Sequence, residues 1–172
     1  MSPNRKTRVF WPVFLLLLLV DCSSKELIVG KLGDANVPHS VIGDAVKFTL
    51  SYNPDAAMGI SLGAYSRIGF AVAALLAIAV LAPFYRKTPP QHTARIVALA
   101  LVCGGAAGNL LDRLRSPRGV VDFIDVGIGA HRFYVFNVAD VGVTFGAVIL
   151  AIVLWRVNDP SGEHVRRSDG EA

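Results

Sequence analysis

The sequence predicts a mainly α-helical, polytopic membrane protein with four transmembrane helices and a small extracytoplasmic antiparallel β-sheet between helices 1 and 2. Three observations predict this class. Hydrophobic residues make up 53% of the 172 residues, charged residues only 17%, and the mean hydropathy is +0.50, which is more apolar than a soluble domain of this size needs. The apolar residues are gathered into four long tracts. Between the first two tracts, residues 46–52 alternate between apolar and polar side chains, as in a β-strand.

The four apolar tracts predict the membrane spans. With their flanking residues, the tracts give spans at about 8–25, 67–85, 95–112 and 134–155. A helix rises about 1.5 Å per residue and needs roughly 20 residues to cross the hydrocarbon, so the two shorter middle tracts need flanking residues to complete each span. We interpret residues 1–157 as one membrane-embedded domain. The polar composition of residues 158–172 predicts a disordered cytoplasmic tail.

The basic residues indicate how the spans are oriented. Four spans place both termini on one side of the membrane. Arg5, Lys6 and Arg8 crowd the short amino-terminal tail, and Arg86 and Lys87 directly follow the second tract. Because cytoplasmic segments carry an excess of Lys and Arg next to the spans, we expect both termini in the cytoplasm. The net charge of +4 then reflects topology, and no basic stripe interleaved with aromatic residues predicts a nucleic-acid partner.

Neither cysteine nor histidine indicates a metal site or another cofactor. Cys22 and Cys103 form no CxxC pair, and the four histidines lack a spacing such as HExxH. The GxxxG spacing at residues 104–108 lets helices approach closely, and we interpret it as packing within a monomer.

Polar residues recur in and beside the last two tracts. Asp140 lies within the fourth tract, where an ionisable group costs of order 2.5–3.5 kcal/mol to insert and is seldom accidental. Its candidate partners, Asp122 and Asp125, lie in a loop that leads back into the membrane. Asn137 shares a helix face with Asp140 because the two are three residues apart. The same reasoning groups three residues at the end of the third tract: Asn109, Asp112 and Arg113.

A pair of carboxylates at this depth has a recognisable chemistry. Two carboxylates held together in a partly dry site cannot both ionise easily, so they share a proton and titrate as a coupled pair. In aspartic proteases the ionised member takes a proton from water and the protonated member donates to the scissile carbonyl. A second interpretation stays open, in which Asp140 pairs with Arg113 or Arg132 to hold the helices together.

Three sequence blocks carry a resemblance to a known family. They are Gly108-Asn109-Leu110-Leu111-Asp112-Arg113, Val120-Val121-Asp122-Phe123 and Phe136-Asn137-Val138-Ala139-Asp140. This ordered set resembles the signature blocks of lipoprotein signal peptidases, also called signal peptidase II. Asp21, Lys25 and Asn53 match further positions of the family, so the resemblance covers most of the chain.

The resemblance implies roles for these residues. In that family the last two blocks supply the catalytic dyad, which implies Asp122 and Asp140 here and leaves Asp125 outside the matching position. The remaining matched residues would orient the dyad, contact the substrate or support the fold: Asn109, Asp112, Arg113, Asn137, Asn53, Asp21, Lys25 and Gly108. Asp55 departs from the family, which usually has glycine there; glycine permits a positive φ, and Asp tolerates it better than most residues do.

The resemblance also implies a substrate and a location. The substrates would be prolipoproteins whose signal peptide is cut just before a diacylglyceryl-modified cysteine. The protein would be a multi-pass, monomeric protein of the bacterial cytoplasmic (inner) membrane, in contact with membrane lipids, with its active site near the outer face.

Three rival interpretations remain. The sequence Leu19-Val20-Asp21-Cys22 after a basic start looks like a lipoprotein cleavage site, but a charged residue before the cysteine and three later apolar tracts argue against a secreted substrate. A small proton-coupled transporter or channel-like protein would use Asp140 as a proton relay, although no repeat of the two halves is visible. A structural membrane scaffold would leave the polar blocks without a purpose.

Overall fold

The computed structural model describes residues 4–55 and 60–157, and the predicted tail at 158–172 lies outside this part. Four α-helices are described: α1 (Asn4–Leu32), α2 (Ser66–Lys87), α3 (Thr93–Arg115) and α4 (Val138–Val157). Four strands form one sheet in the order β1-β2-β3-β4: β1 (Pro38–Ile42), β2 (Val46–Asn53), β3 (Val120–Ile128) and β4 (His131–Arg132). All paired strands are antiparallel. The mainly helical class with a small antiparallel sheet is therefore confirmed.

Three of the described helical segments are long and apolar enough to cross a membrane: Gly63–Lys87, Thr93–Arg115 and Val138–Arg156. The first predicted span, 8–25, lies inside α1, which is not among these three. With 29 residues, α1 is about 43 Å long at 1.5 Å per residue. It continues past the predicted end of the span because Asp21 and Lys25 are buried inside the protein and do not mark a boundary with water.

The third helix is the centre of the bundle, since it packs against α1, α2 and α4. One apolar core of the bundle includes Phe10 of α1 together with Ile96, Leu99 and Cys103 of α3. Cys103 is a buried, free cysteine that packs here as a small core residue. Many large apolar residues on α1, α2 and α4 stay exposed. That exposure is expected of helices that face lipid.

Glycines let α3 approach two of its three neighbours, α1 and α4, closely. A Cβ on Gly104 would come within 3.2 Å of the Phe14 carbonyl oxygen of α1, and a Cβ on Gly105 would clash with the Ala139 carbonyl oxygen of α4. The GxxxG spacing thus serves helix packing within the chain, as glycines at membrane helix contacts generally do.

The sheet lies beside the carboxyl-terminal part of α1 and differs from the prediction in one respect. Only β1 and β2 come from the segment between α1 and α2, whereas β3 and β4 come from the segment before α4. Residues 120–125, predicted to be a loop, form part of strand β3. They do so because Val121 and Phe123 pack with Leu50 of β2 and Ile28 of α1 in one apolar cluster.

The start of α4 also differs from the prediction. The helix begins at Val138, four residues after the predicted start of the span at 134. The preceding residues are extended, and Phe136 forms a β-bridge with Ile124. This bridge joins the start of α4 to β3 and thereby brings the two sequence blocks that contain Asp122 and Asp140 together.

A glycine substitution tests the close packing of α3 on α4. We expect Gly105→Ala to lower the free energy of unfolding by about 1–3 kcal/mol, because the added methyl group meets backbone that cannot move freely. Gly30→Ala in α1 is the matched control, since a Cβ there has no neighbour within 4 Å among the described residues, and helix propensity makes it neutral or slightly stabilising. Denaturant unfolding in detergent measures both, and equal stability of the two variants would contradict this packing.

Candidate active site

A cavity of about 850 Å³ lies between the end of β2, the start of β3 and the facing sides of α3 and α4. Its polar wall includes the charged and amide side chains of six residues: Asn53, Asp55, Asn109, Arg113, Asp122 and Asp140. Its apolar wall includes four aromatic side chains that were not among the predicted site residues: Phe133, Tyr134, Phe136 and Phe145. The aromatic run immediately before α4 was the sequence signal for most of this wall.

Asn137 and Asp140 together form the amino-terminal cap of α4. The Asp140 backbone N–H donates to Oδ1 of Asn137 (2.9 Å), and the Asn137 backbone N–H donates to Oδ2 of Asp140 (3.1 Å). This reciprocal pattern is a capping box, with Asp140 as the third residue of the helix. Asp140 therefore lies where the helix dipole stabilises a negative charge.

Asp122 is buried on β3 and receives two amide hydrogen bonds. Asn137 Nδ2 donates to its Oδ1 (2.7 Å), and Asn53 Nδ2, at the end of β2, donates to its Oδ2 (3.1 Å). The pKa of Asp122 is raised to about 7, mainly by burial and next by the negative charge of Asp140, while the hydrogen bonds from the two amide donors lower it in part. The protonated form of Asp122 is thus accessible near neutral pH.

Asn109 connects Asp140 to α3. Its Nδ2 donates to Oδ1 of Asp140 (2.7 Å), while its Oδ1 accepts from Asn137 Nδ2 (3.1 Å) and from Lys25 Nζ (3.0 Å). Asn137 therefore contacts both carboxylates, and Asn109 contacts Asp140 and Asn137. The expected juxtaposition of Asp122 with Asp140 is present in the structure.

Arg113 is buried at the edge of the cavity but does not lock either carboxylate. Its Nη2 donates to the Asp55 carbonyl oxygen (2.8 Å) and its Nη1 to the Asn109 carbonyl oxygen (3.3 Å). Within the described part of the chain, Asp140 has no ion pair with a basic side chain. The interpretation in which Asp140 serves a structural pair with Arg113 or Arg132 does not fit this geometry.

Asp125 belongs to a different cluster. Arg132 Nε donates to its Oδ1 (2.6 Å), and Thr49 Oγ1 donates to its Oδ2 (2.9 Å). Its carboxylate is thereby occupied by partners on β2 and β4, and Asp125 does not line the cavity. Of the two candidate partners of Asp140, the structure brings only Asp122 to it.

Four more residues matched by the resemblance lie behind the cavity wall. Lys25 forms ion pairs of 2.8 Å with Asp21 and with Asp112. A Cβ on Gly108 would come within 2.5 Å of Oδ2 of Asp21, so glycine is needed there for α1 to approach α3. These residues support the wall and do not line it.

The turn after β2 explains the departure at Asp55. Oδ1 of Asn53 accepts the backbone N–H of Asp55 (2.9 Å), which closes an Asx turn. Asp55 has no positive φ; among the described non-glycine residues only Asn36 has one. The position therefore tolerates a residue with a side chain. The next two residues of the turn, Ala56 and Ala57, lie outside the described residues.

Comparison with known proteins gives one consistent result. Residues 13–156 match the sequence profile of the family described as signal peptidase (SPase) II. A lipoprotein signal peptidase of Moorella thermoacetica is 40% identical over 88% of this chain and 94% of its own length. One from Pseudomonas fluorescens is 38% identical over 95% of this chain and 97% of its own length.

Solved structures agree with the sequence relatives. A bacterial membrane enzyme solved by the in meso method has a TM-score of 0.74 and 28% identity, covering 84% of this chain and 85% of that chain. A second such structure has a TM-score of 0.72 and 28% identity, covering 83% of this chain and 89% of that chain. The family profile spans most of this chain, and the alignments with the two relatives span nearly the whole length of each relative. The protein therefore belongs to the signal peptidase II family.

Proposed function

We propose that this protein is an intramembrane aspartic endopeptidase that removes the signal peptide from lipid-modified prolipoproteins by cutting before the diacylglyceryl-cysteine. The single observation that carries the mechanism is the sharing of Asn137 by Asp122 and Asp140 at one cavity. The family name supports the substrate class. The proposed site needs no metal and no other cofactor.

The surroundings of the two carboxylates favour different protonation states. Asp140 lies at the amino terminus of α4, where a negative charge is stabilised. Asp122 is buried, and its pKa of about 7 leaves a large fraction of this carboxyl group protonated near neutral pH. The negative charge of Asp140 next to Asp122 favours the protonated form of Asp122, so we assign the single proton of the dyad to Asp122.

The proposed reaction uses this single proton. Asp140 takes a proton from the attacking water, and the water oxygen bonds to the scissile carbonyl carbon. Asp122 donates its proton to the carbonyl oxygen, which forms a neutral tetrahedral intermediate. Collapse of this intermediate breaks the C–N bond as Asp140 gives its proton to the leaving nitrogen and Asp122 takes back a proton from the hydroxyl group that becomes the new carbonyl. No covalent bond forms between enzyme and substrate.

The cavity walls suit a lipid-modified peptide. One wall presents the dyad and the amides of Asn53 and Asn109, which can hydrogen-bond a peptide backbone. The other presents Phe133, Phe136 and Phe145, which suit apolar side chains or an acyl chain. A peptide carrying a diacylglyceryl group needs both kinds of surface next to the reacting bond.

The distribution of charge supports the outer face of the bacterial inner membrane as the place of cleavage. At the end of the bundle away from the sheet, Lys6 Nζ donates to the carbonyl oxygens of Arg86 and Thr88, both at 3.0 Å. The basic residues of the amino terminus and of the end of α2 are thereby gathered at one end. By the positive-inside rule that end is cytoplasmic, with both termini, and the dyad and sheet are outside. We propose that the enzyme acts there as a monomer.

Substitution of the dyad tests this proposal. We expect Asp122→Asn and Asp140→Asn each to lower kcat for a lipid-modified prolipoprotein by about 10²–10⁴-fold, because neither amide can accept or supply the transferred proton. The assay uses purified enzyme in detergent and reports cleaved substrate per folded enzyme.

Asp125→Asn is the matched control for the dyad variants, since it changes an aspartate on the same strand that lies outside the cavity. We expect it to retain cleavage. Wild-type turnover by Asp122→Asn, or equal losses in all three variants, would contradict the proposal. A proton-conducting protein would cleave nothing in this assay.

The pH dependence tests the protonation of Asp122. As the pH rises through about 7, Asp122 loses its proton and both carboxylates become ionised. We expect kcat/KM to fall about tenfold per pH unit above this value, since the acid form is lost. A flat profile through pH 7 to 9 would contradict the assignment.

Stability against pH gives an independent readout of the same group. The pKa of Asp122 is raised from 3.8 to about 7 on folding, so the folded state holds a proton that the unfolded state has lost between these values. The stability that this proton contributes is complete below about 4 and is lost as the pH rises through about 7. Asp122→Asn should therefore gain stability relative to wild type over this window in thermal unfolding measurements.

A further inference from the structure

Lys25 is a buried cation close to the dyad that the proposed reaction does not use. Lys25 is only 3% exposed, and it does not line the cavity. Its Nζ lies 2.8 Å from Asp21, 2.8 Å from Asp112 and 3.0 Å from Oδ1 of Asn109. An ammonium group has three donors and no acceptor, and three oxygens lie within 3.0 Å of Nζ. Burying a lysine is costly even when it is paired, and its removal would leave the carboxylates of Asp21 and Asp112 without their cation.

The carboxylate partners of Lys25 hold the backbone next to each member of the dyad. Oδ1 of Asp21 accepts the backbone N–H of Ala139 (2.8 Å), the residue before Asp140. Oδ2 of Asp112 accepts the backbone N–H of Val121 (3.1 Å), the residue before Asp122. One cation is therefore shared by the two carboxylates that fix the backbone beside both catalytic residues.

The third partner of Lys25 determines the direction of the amide hydrogen bonds. Because Lys25 can only donate, the Asn109 side chain must turn its oxygen toward Nζ, and its NH₂ group then faces Asp140. The same oxygen accepts one N–H of Asn137, whose second N–H points to Asp122. Reversal of the Asn109 amide would place oxygen against the Asp140 carboxylate and NH₂ against two donors.

We propose that Lys25 is a positioning residue for the dyad, which sets the direction of the Asn109 and Asn137 amides so that both catalytic carboxylates receive N–H donors. This inference rests on the proposed function of Asp122 and Asp140. Lys25 acts through Asn109 and touches no substrate. Its removal therefore changes turnover and leaves substrate binding nearly intact.

Lys25→Met provides the test, because methionine keeps an unbranched apolar stem and removes every donor. We expect kcat to fall about 10²-fold, as for a misplaced catalytic group, with KM within about threefold of wild type. If the single variant does not fold, Lys25→Met/Asp21→Asn replaces it, with Asp21→Asn alone as its control. In that double variant the net charge of the cluster equals the wild-type value, because one carboxylate charge is removed together with the ammonium charge.

A double-mutant cycle with Asn109→Leu separates positioning from a general structural role. If Lys25 acts through Asn109, Lys25→Met lowers kcat by less than about threefold once Asn109 is already leucine. If Lys25→Met lowers kcat by the same factor in both backgrounds, or changes KM alone, the inference is overturned. Asp122→Asn is measured in parallel: if it cleaves like wild type, the proposed function itself fails, whereas an inactive Asp122→Asn with a fully active Lys25→Met overturns only the role of Lys25.

Discussion

The side chain of Asn137 is the constraint on which the site depends. It is fully buried, it caps α4, and it donates to Asp122 while the backbone N–H of the same residue donates to Asp140. A single residue thus fixes the start of a membrane helix and the relative position of two carboxylates that are eighteen residues apart in the sequence. An amide is suited to this task because it offers donors and an acceptor without adding charge.

The burial of so many polar groups beside a membrane demands that nearly all of them have partners. An unpaired polar group in an apolar environment costs several kcal/mol, of order 2–7 by transfer measurements. Asp21, Lys25 and Asp112 satisfy one another and two backbone N–H groups, and Asn109 joins this cluster to Asp140. These ion pairs and hydrogen bonds hold the polar side chains of the cavity wall in place. Fixed side chains favour a reaction that relies on placing the water and the scissile carbonyl accurately.

Much of this architecture could be predicted from the sequence, and the exceptions have physical causes. The apolar tracts located α2, α3 and α4, because a long uncharged run is typical of a helix that crosses a membrane, and the sequence blocks selected both carboxylates. Strand β3 was not predicted, since its run of apolar residues is too short to separate strand from loop without knowledge of Leu50 and Ile28, which cover it. Asp21 and Lys25 looked like the end of a span because the sequence cannot show that charges pair inside the protein. The aromatic residues before α4 line the cavity because the helix begins only at Val138, after the Asn137 cap. The sequence placed the start of this span at residue 134 and so did not predict their position.

The proposed mechanism requires that the dyad carry one proton near neutral pH and that Asp122 hold it. Infrared difference spectroscopy with isotope-labelled aspartate, recorded on the resting enzyme on either side of pH 7, measures this directly. We predict a protonated carboxyl band that disappears as the pH rises through about 7, is absent from Asp122→Asn and is retained in Asp125→Asn. A wild-type spectrum with no such band below pH 7, or a band that persists unchanged in Asp122→Asn, would contradict this mechanism.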